Sequence, residues 1–183
     1  MKKIAFILLS ILLIVSLIWW VVQTPAPKPT TYKKVTLSER NLIWSTTEWT
    51  YLDTIVSVGM DELGIKDMEV LIQPMNERIK SKFEEGSDDI QLKAYVSQWI
   101  RGYVISVDGD LGKDAAIDIM SHELIHLVQY EDSSLVVGDG TEVIWLGAKY
   151  DILHVPYDER PWEKSAFRKQ TELADKIRAK ILE

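Results

Sequence analysis

The sequence contains no cysteine, and this absence restricts the chemistry that is open to the protein. Disulfide bonds, thiolate metal sites, catalysis by a cysteine nucleophile and a lipid anchor on cysteine are all excluded. Histidine is also scarce, with 3 residues in the chain. Any metal ion must therefore be held by these few imidazoles together with carboxylates.

Positive charge is also in short supply. The chain has 21 Lys and Arg residues against 28 Asp and Glu residues, which gives a net charge of −7. Because nucleic acids are bound through a basic stripe that contacts phosphates, no nucleic acid partner is expected. The length of 183 residues, with 46% hydrophobic and 27% charged residues, suits one globular domain and an appendage.

The appendage is a hydrophobic run over residues 4–22 that contains no charged residue and follows two lysines. It is long enough to cross a hydrocarbon core of about 30 Å as a helix, and its closing tryptophan pair suits the membrane interface. No small-residue cleavage site follows the run, which disfavours a cleaved signal peptide. We therefore predict a single-pass transmembrane anchor at residues 1–23, with the rest of the chain outside the cytoplasm.

The remaining chain is predicted to be a linker and one α+β domain. Residues 24–35 are rich in proline and suit an extended spacer, so the domain is placed at 36–183. Helices are predicted from Ser45 to Gly64, over residues 114–130, and from Pro161 to the C-terminus. Strands are predicted over residues 68–73, 90–98 and 103–107, with a hairpin over 143–152.

Residues 122–126 read HELIH and fit the HExxH pattern of zinc metalloproteases. His122 and His126 are four residues apart, so a helix places both imidazoles on one face, where they can bind one ion. Glu123 lies beside them and can take a proton from a water that zinc acidifies. The alternative is a pair of buried histidines that hydrogen-bond to backbone carbonyls and hold no metal.

A catalytic zinc site needs a third protein ligand and one open position. The pattern HExxHxxGxxH is excluded because Gln129 and Asp132 occupy its last two defined positions, and a GTxxD pattern meets isoleucine in place of aspartate. A downstream glutamate remains. Glu163, in the first turn of the last helix among apolar residues, is favoured over Glu159 in the preceding loop, and Glu142 ranks behind both.

The segments HELIHLVQY and YDERPWEKSAF resemble the small gluzincin-type metallopeptidases, whose third zinc ligand is a glutamate on the helix after the active one. The order of elements is similar over residues 40–180. The resemblance implies a zincin-like fold with Zn²⁺ bound by His122, His126 and Glu163. It also implies that Glu123 is the general base of peptide hydrolysis.

The chain departs from this family at one position. Many gluzincins carry ExxxD, but Phe167 stands where the aspartate is expected. Another group must then orient the histidine ligands, and Asp118, one turn before His122, is a candidate, as is Gln129. The family's oxyanion donor is a Tyr or His near the third ligand, which here implies Tyr157 or His154, with Arg160 as a further option. The strand over 103–107 is the candidate for binding an extended substrate.

These features predict a membrane-anchored, zinc-dependent metallopeptidase that acts on a peptide or protein substrate. The alternative is a catalytically silent zincin-like domain that serves as a binding or scaffold module at the membrane. The presence of Glu123 between the two histidines favours the enzyme.

Overall fold

The computed structural model describes residues 33–35, 41–45, 50–76, 93–99, 102–109 and 111–182. The predicted transmembrane anchor and residues 24–32 of the predicted linker lie outside this part of the chain. Among the described residues, no helix combines the length and the apolar character needed to cross a bilayer. The chain divides into two units after Tyr32, and the unit that begins at Lys33 is an α+β domain.

The larger sheet is small and mixed, as predicted. It contains β1 (Lys33–Val35), β2 (Leu42–Ser45), β3 (Glu69–Pro74), β4 (Ala94–Trp99) and β5 (Gly102–Val107). Their order is β1-β2-β3-β5-β4, in which β2, β3 and β5 are parallel while β1 and β4 run antiparallel to their neighbours. β1 lies within the segment that the sequence assigns to the linker.

The described residues contain three α-helices, and their bounds agree with the sequence prediction except at the start of the first. α1 is Thr50–Glu62, α2 is Lys113–Glu131 and α3 is Pro161–Leu182, so the two helices predicted around HELIH and after Pro161 are confirmed. The first helix was predicted to begin at Ser45, but Ser45 ends β2. Ile43 is fully buried in β2 and pairs with Val70 of β3, so a tertiary pairing determines the conformation there.

A second, three-stranded antiparallel sheet lies between α2 and α3 in the chain. It contains β6 (Leu135–Val137), β7 (Glu142–Trp145) and β8 (Ala148–Asp151). The predicted hairpin is confirmed, and it turns through Leu146 and Gly147, which both have positive φ. β6 was not predicted, because a strand of three residues inside a polar segment gives no periodic signal.

The main core forms between the helices and one face of the larger sheet. Alternate strand residues point to this face, as expected for half-buried strands; they are Ile43, Val70, Ile72, Ala94, Val96, Tyr103, Ile105 and Val107. On α2, Ile117, Met120, Leu124 and Leu127 are almost completely buried in the same core. Because α2 is so enclosed, it carries the polar side chains of HELIH into the interior.

The sequence named residues 103–107 as the candidate substrate-binding strand, and the sheet topology corrects this. β5 pairs with β3 on one side and with β4 on the other, so its backbone groups are already used in the sheet. The strand at this edge of the described sheet is β4. The β-branched and aromatic residues of 103–107 indicated a strand, but composition carries no information on which strand lies at the edge.

Gly102 provides a test of the strand packing. A Cβ atom at Gly102 would collide with the backbone carbonyl of Glu69, its partner on β3, and a backbone in the middle of a sheet cannot move aside. We expect Gly102→Ala to lower the free energy of unfolding by about 1–3 kcal/mol in urea denaturation. Gly112→Ala is the matched control, because a Cβ at Gly112 meets no atom within 4 Å. Equal stabilities of the two variants would contradict the close approach of β3 and β5.

Candidate metal centre

Helix α2 brings the two histidines of HELIH together inside the domain. His122 and His126 lie one turn apart, and their Nε2 atoms are 3.0 Å from each other. Both side chains are buried, with residue exposures of 8% and 6%. The two rings stand nearly perpendicular, with centroids 4.7 Å apart, so each presents its edge to the same point.

Glu163 completes the group from α3. Its Oε2 atom lies 3.0 Å from Nε2 of His122 and 3.3 Å from Nε2 of His126. Glu163 is on the first turn of the helix, next to buried Trp162 and one turn before buried Ala166. Since these apolar neighbours pack into the interior, the carboxylate between them is also turned inward.

The geometry of this group fits a metal ion. The three ligand atoms all lie within 4.8 Å of one another. Ligand atoms bound to a tetrahedral ion at about 2.0–2.1 Å are roughly 3.3 Å apart, close to the separations of 3.0–3.3 Å seen here. The group of His122, His126 and Glu163 can therefore hold a metal ion, and imidazole with carboxylate suits several transition metals.

Glu123 lies beside this group and is also buried, at 6% exposure. The backbone N–H of Val96, on β4, donates a hydrogen bond to its carboxylate. Burial raises the pKa of Glu123 above its usual range, although the nearby imidazoles of His126 and His122 act in the opposite direction. A carboxyl group with a raised pKa is suited to exchange protons near neutral pH.

Two groups of the site, the Glu163 carboxyl and the His126 imidazole, favour their charged forms through their mutual contact. Burial favours the neutral form of Glu163, but hydrogen bonds with His122 and His126 outweigh it and hold the pKa of this carboxyl well below its usual range. For His126, burial is likewise outweighed by the hydrogen bond with Glu163 and the charge of Glu123, which raise the pKa to about 9. A metal ion must displace a proton from His126 to bind.

The far side of each imidazole contacts a glutamine. Nδ1 of His122 is 2.9 Å from Oε1 of Gln170, and Nδ1 of His126 is 2.7 Å from Oε1 of Gln129. Asp118, which the sequence named as a candidate for this role, instead pairs with Arg178 at 2.7 Å. Sequence reasoning missed Gln170, although it lies two turns after Glu163 and so on the same face of α3.

The structure separates the two candidate oxyanion donors. The hydroxyl of Tyr157 donates a hydrogen bond to Glu163, and burial and the charge of Glu163 raise its pKa above the usual range. His154 is 81% exposed in its side chain and contacts the carboxylate of Asp151, so it does not join the group. Arg160 donates to the carbonyls of Ile152 and Val155 and lies against the Tyr157 ring, where it holds the loop.

The other glutamates considered as third ligand lie elsewhere. Glu159 is exposed in the short 3₁₀ helix Tyr157–Glu159, and Glu142 forms an ion pair with Lys149 on the second sheet.

Compared with protein-family models, with curated proteins and with solved structures, the chain gives no match.

The choice between Glu163 and Glu159 as the third metal ligand can be tested through metal content. The full chain is purified in detergent, loaded with Zn²⁺, dialysed and analysed for bound metal. We expect Glu163→Ala to lose most of the metal, because it removes one of three buried ligands. Glu159→Ala, in which an exposed carboxylate four residues earlier is removed, should keep the wild-type content. Loss of metal from Glu159→Ala alone would contradict the assignment of Glu163.

Proposed function

We propose that this protein is a zinc metallopeptidase with a zincin-like domain that hydrolyses peptide bonds in a peptide or protein substrate. The observation that carries the proposal is the burial of His122, His126 and Glu163 around one point, with the Glu123 carboxyl beside them. Two histidines and a glutamate are a known ligand set of catalytic zinc, which leaves one coordination position open.

Each side chain has a distinct role in this proposal. Bound Zn²⁺ would acidify a coordinated water and polarise the substrate carbonyl. Glu123, with its raised pKa, would accept the proton of the attacking water and pass it to the leaving amine. Tyr157 keeps its proton over the working pH range because its pKa is raised, so its hydroxyl, which donates to Glu163 here, would turn to donate to the developing oxyanion.

The edge of β4 is the proposed binding site for an extended substrate. The N–H of Asp108 donates a hydrogen bond to the carbonyl of Lys93, and in the antiparallel register of β4 and β5 the odd-numbered residues of β4 therefore direct their backbone groups to β5. The N–H of Val96 points the other way, to Glu123, so this side of β4, with which no described strand pairs, runs beside the metal group. A peptide added to this edge by backbone hydrogen bonds would lie next to Glu123.

The membrane location is part of the proposal and rests on the sequence. The uncharged run over residues 4–22 would anchor the domain as a single-pass helix. The lysines before it favour an extracytoplasmic domain.

The second candidate function is a scaffold or binding domain that keeps the metal but has no turnover. The buried carboxyl of Glu123 beside the ligands favours the enzyme over this candidate.

The test of catalysis is a conservative change of the general base. Glu123→Gln removes the proton acceptor but preserves size, so we expect bound zinc to persist while peptide cleavage falls by about 10²–10⁴-fold. Cleavage of a mixed peptide library is followed by mass spectrometry, with the full chain in detergent. Glu172→Gln, a change of an exposed glutamate on α3, is the matched control. Zinc-loaded wild type that cleaves no peptide would favour the scaffold function.

The role of Tyr157 can be separated from that of His154. Tyr157→Phe removes only the hydroxyl, and in protein saturated with zinc we expect kcat to fall by about 10²–10³-fold. His154→Ala removes an exposed ring that contacts Asp151, so kcat should stay within about twofold. Steady-state kinetics on a peptide found in the library screen provide the measurement. The reverse order of effects would make His154 the donor.

A further inference from the structure

Gln129 contacts both helices that carry the metal group. Its Oε1 atom lies 2.7 Å from Nδ1 of His126, and its Nε2 atom donates to the carbonyl of Trp162 at 3.1 Å. Gln129 is almost completely buried, with 2% of the residue exposed. Trp162 is adjacent to Glu163, so one amide joins a ligand on α2 to the turn of α3 that holds another ligand.

The contact with Trp162 fixes which way the amide of Gln129 faces. A backbone carbonyl only accepts hydrogen bonds, so the NH₂ group must point to Trp162 and the oxygen must point to His126. The amide oxygen also only accepts, so Nδ1 of His126 carries a hydrogen. Nε2 is then the nitrogen left to face Glu163 and a metal ion.

Gln170 has the corresponding position at His122. Its amide oxygen lies 2.9 Å from Nδ1 of that ring, which again leaves Nε2 to face Glu163. Phe167, in the position where the family pattern carries aspartate, packs against the ring of His122 with centroids 4.6 Å apart. The packing holds the plane of the ring, and Gln170 selects the nitrogen that faces inward.

We propose that Gln129 and Gln170 are the positioning residues of this metal centre, and that two neutral amides replace the carboxylate expected from ExxxD. The inference rests on the metal-binding part of the proposed function and not on peptide hydrolysis. The two glutamines differ in one respect that a test can use. Gln170 is needed as an acceptor, whereas Gln129 must also donate to the carbonyl of Trp162.

The experiment compares glutamate and methionine at both positions in the full chain in detergent. Zn²⁺ affinity is measured by competition with a chromogenic chelator, and the d–d absorption of the Co²⁺-loaded protein reports ligand geometry. Partners that orient ligating histidines typically contribute about 10–100-fold to metal affinity. We expect Gln170→Met to weaken Zn²⁺ binding by about this factor and to change the Co²⁺ spectrum. Gln170→Glu keeps the acceptor and should bind Zn²⁺ at least as tightly as wild type.

Position 129 should behave differently. Both Gln129→Met and Gln129→Glu should weaken Zn²⁺ binding, because a carboxylate cannot donate to the Trp162 carbonyl. Asp118→Asn is the matched control: Asp118 lies one turn before His122 but pairs with Arg178, so wild-type affinity is expected. Circular dichroism shows whether each variant is folded. If the variants at position 129 do not fold, the two variants at position 170 still test the positioning role.

The outcomes separate this inference from the proposed function. A wild-type protein that binds neither Zn²⁺ nor Co²⁺ overturns both. If Gln170→Met and Gln170→Glu both bind Zn²⁺ as tightly as the wild type, the positioning role of Gln170 alone is overturned. Equal losses in Gln170→Met and Gln170→Glu would indicate a packing role and likewise overturn it.

Discussion

The contact of the Glu163 carboxylate with two imidazoles is the interaction on which the rest of the structure depends. A buried carboxylate is costly unless it is paired and hydrogen-bonded, and removing one partner of a buried pair typically costs roughly 3–5 kcal/mol. Here the carboxylate is held by His122 and His126 and by the hydroxyl of Tyr157. α2 and α3 must therefore dock in one register for all of these groups to be satisfied.

The surrounding core holds this register. Leu173, Ala174 and Ile177 continue the buried face of α3 beyond the site and belong to the same core as the leucines of α2. At the other end of the helix pair, Arg178 bridges Asp118 of α2 and Asp175 of its own helix. Apolar packing sets the separation of the helices, and polar contacts at both ends fix their rotation and stagger. A site with atomic separations near 3 Å needs such rigid support, since small displacements of ligands disturb binding.

Sequence reasoning recovered the elements that local periodicity encodes. The long helices around HELIH and after Pro161 were predicted because their apolar residues repeat with helical spacing over several turns. It failed at Ser45, where a capping pattern indicated a helix and the structure has the end of β2. It also failed for Leu135–Val137, a strand too short to show alternation. β2 is defined by its pairing with β3, much later in the chain, and β6 by its pairing with the neighbouring β7, and neither pairing can be read from the pattern of the strand's own residues.

The same division applies to the site. The sequence by itself determined that His122, Glu123 and His126 share one region of a helix, because helical spacing is a local property of four or five residues. Tertiary structure decided that Glu163 and not Glu159 reaches the imidazoles and that Gln170 and not Asp118 contacts His122. It also decided that β4, and not β5, lies at an edge of the sheet as far as the structure describes it. These outcomes depend on how α3 rotates against α2 and on the order of strands. Both are set by packing across the whole core, so no single segment of the sequence encodes them.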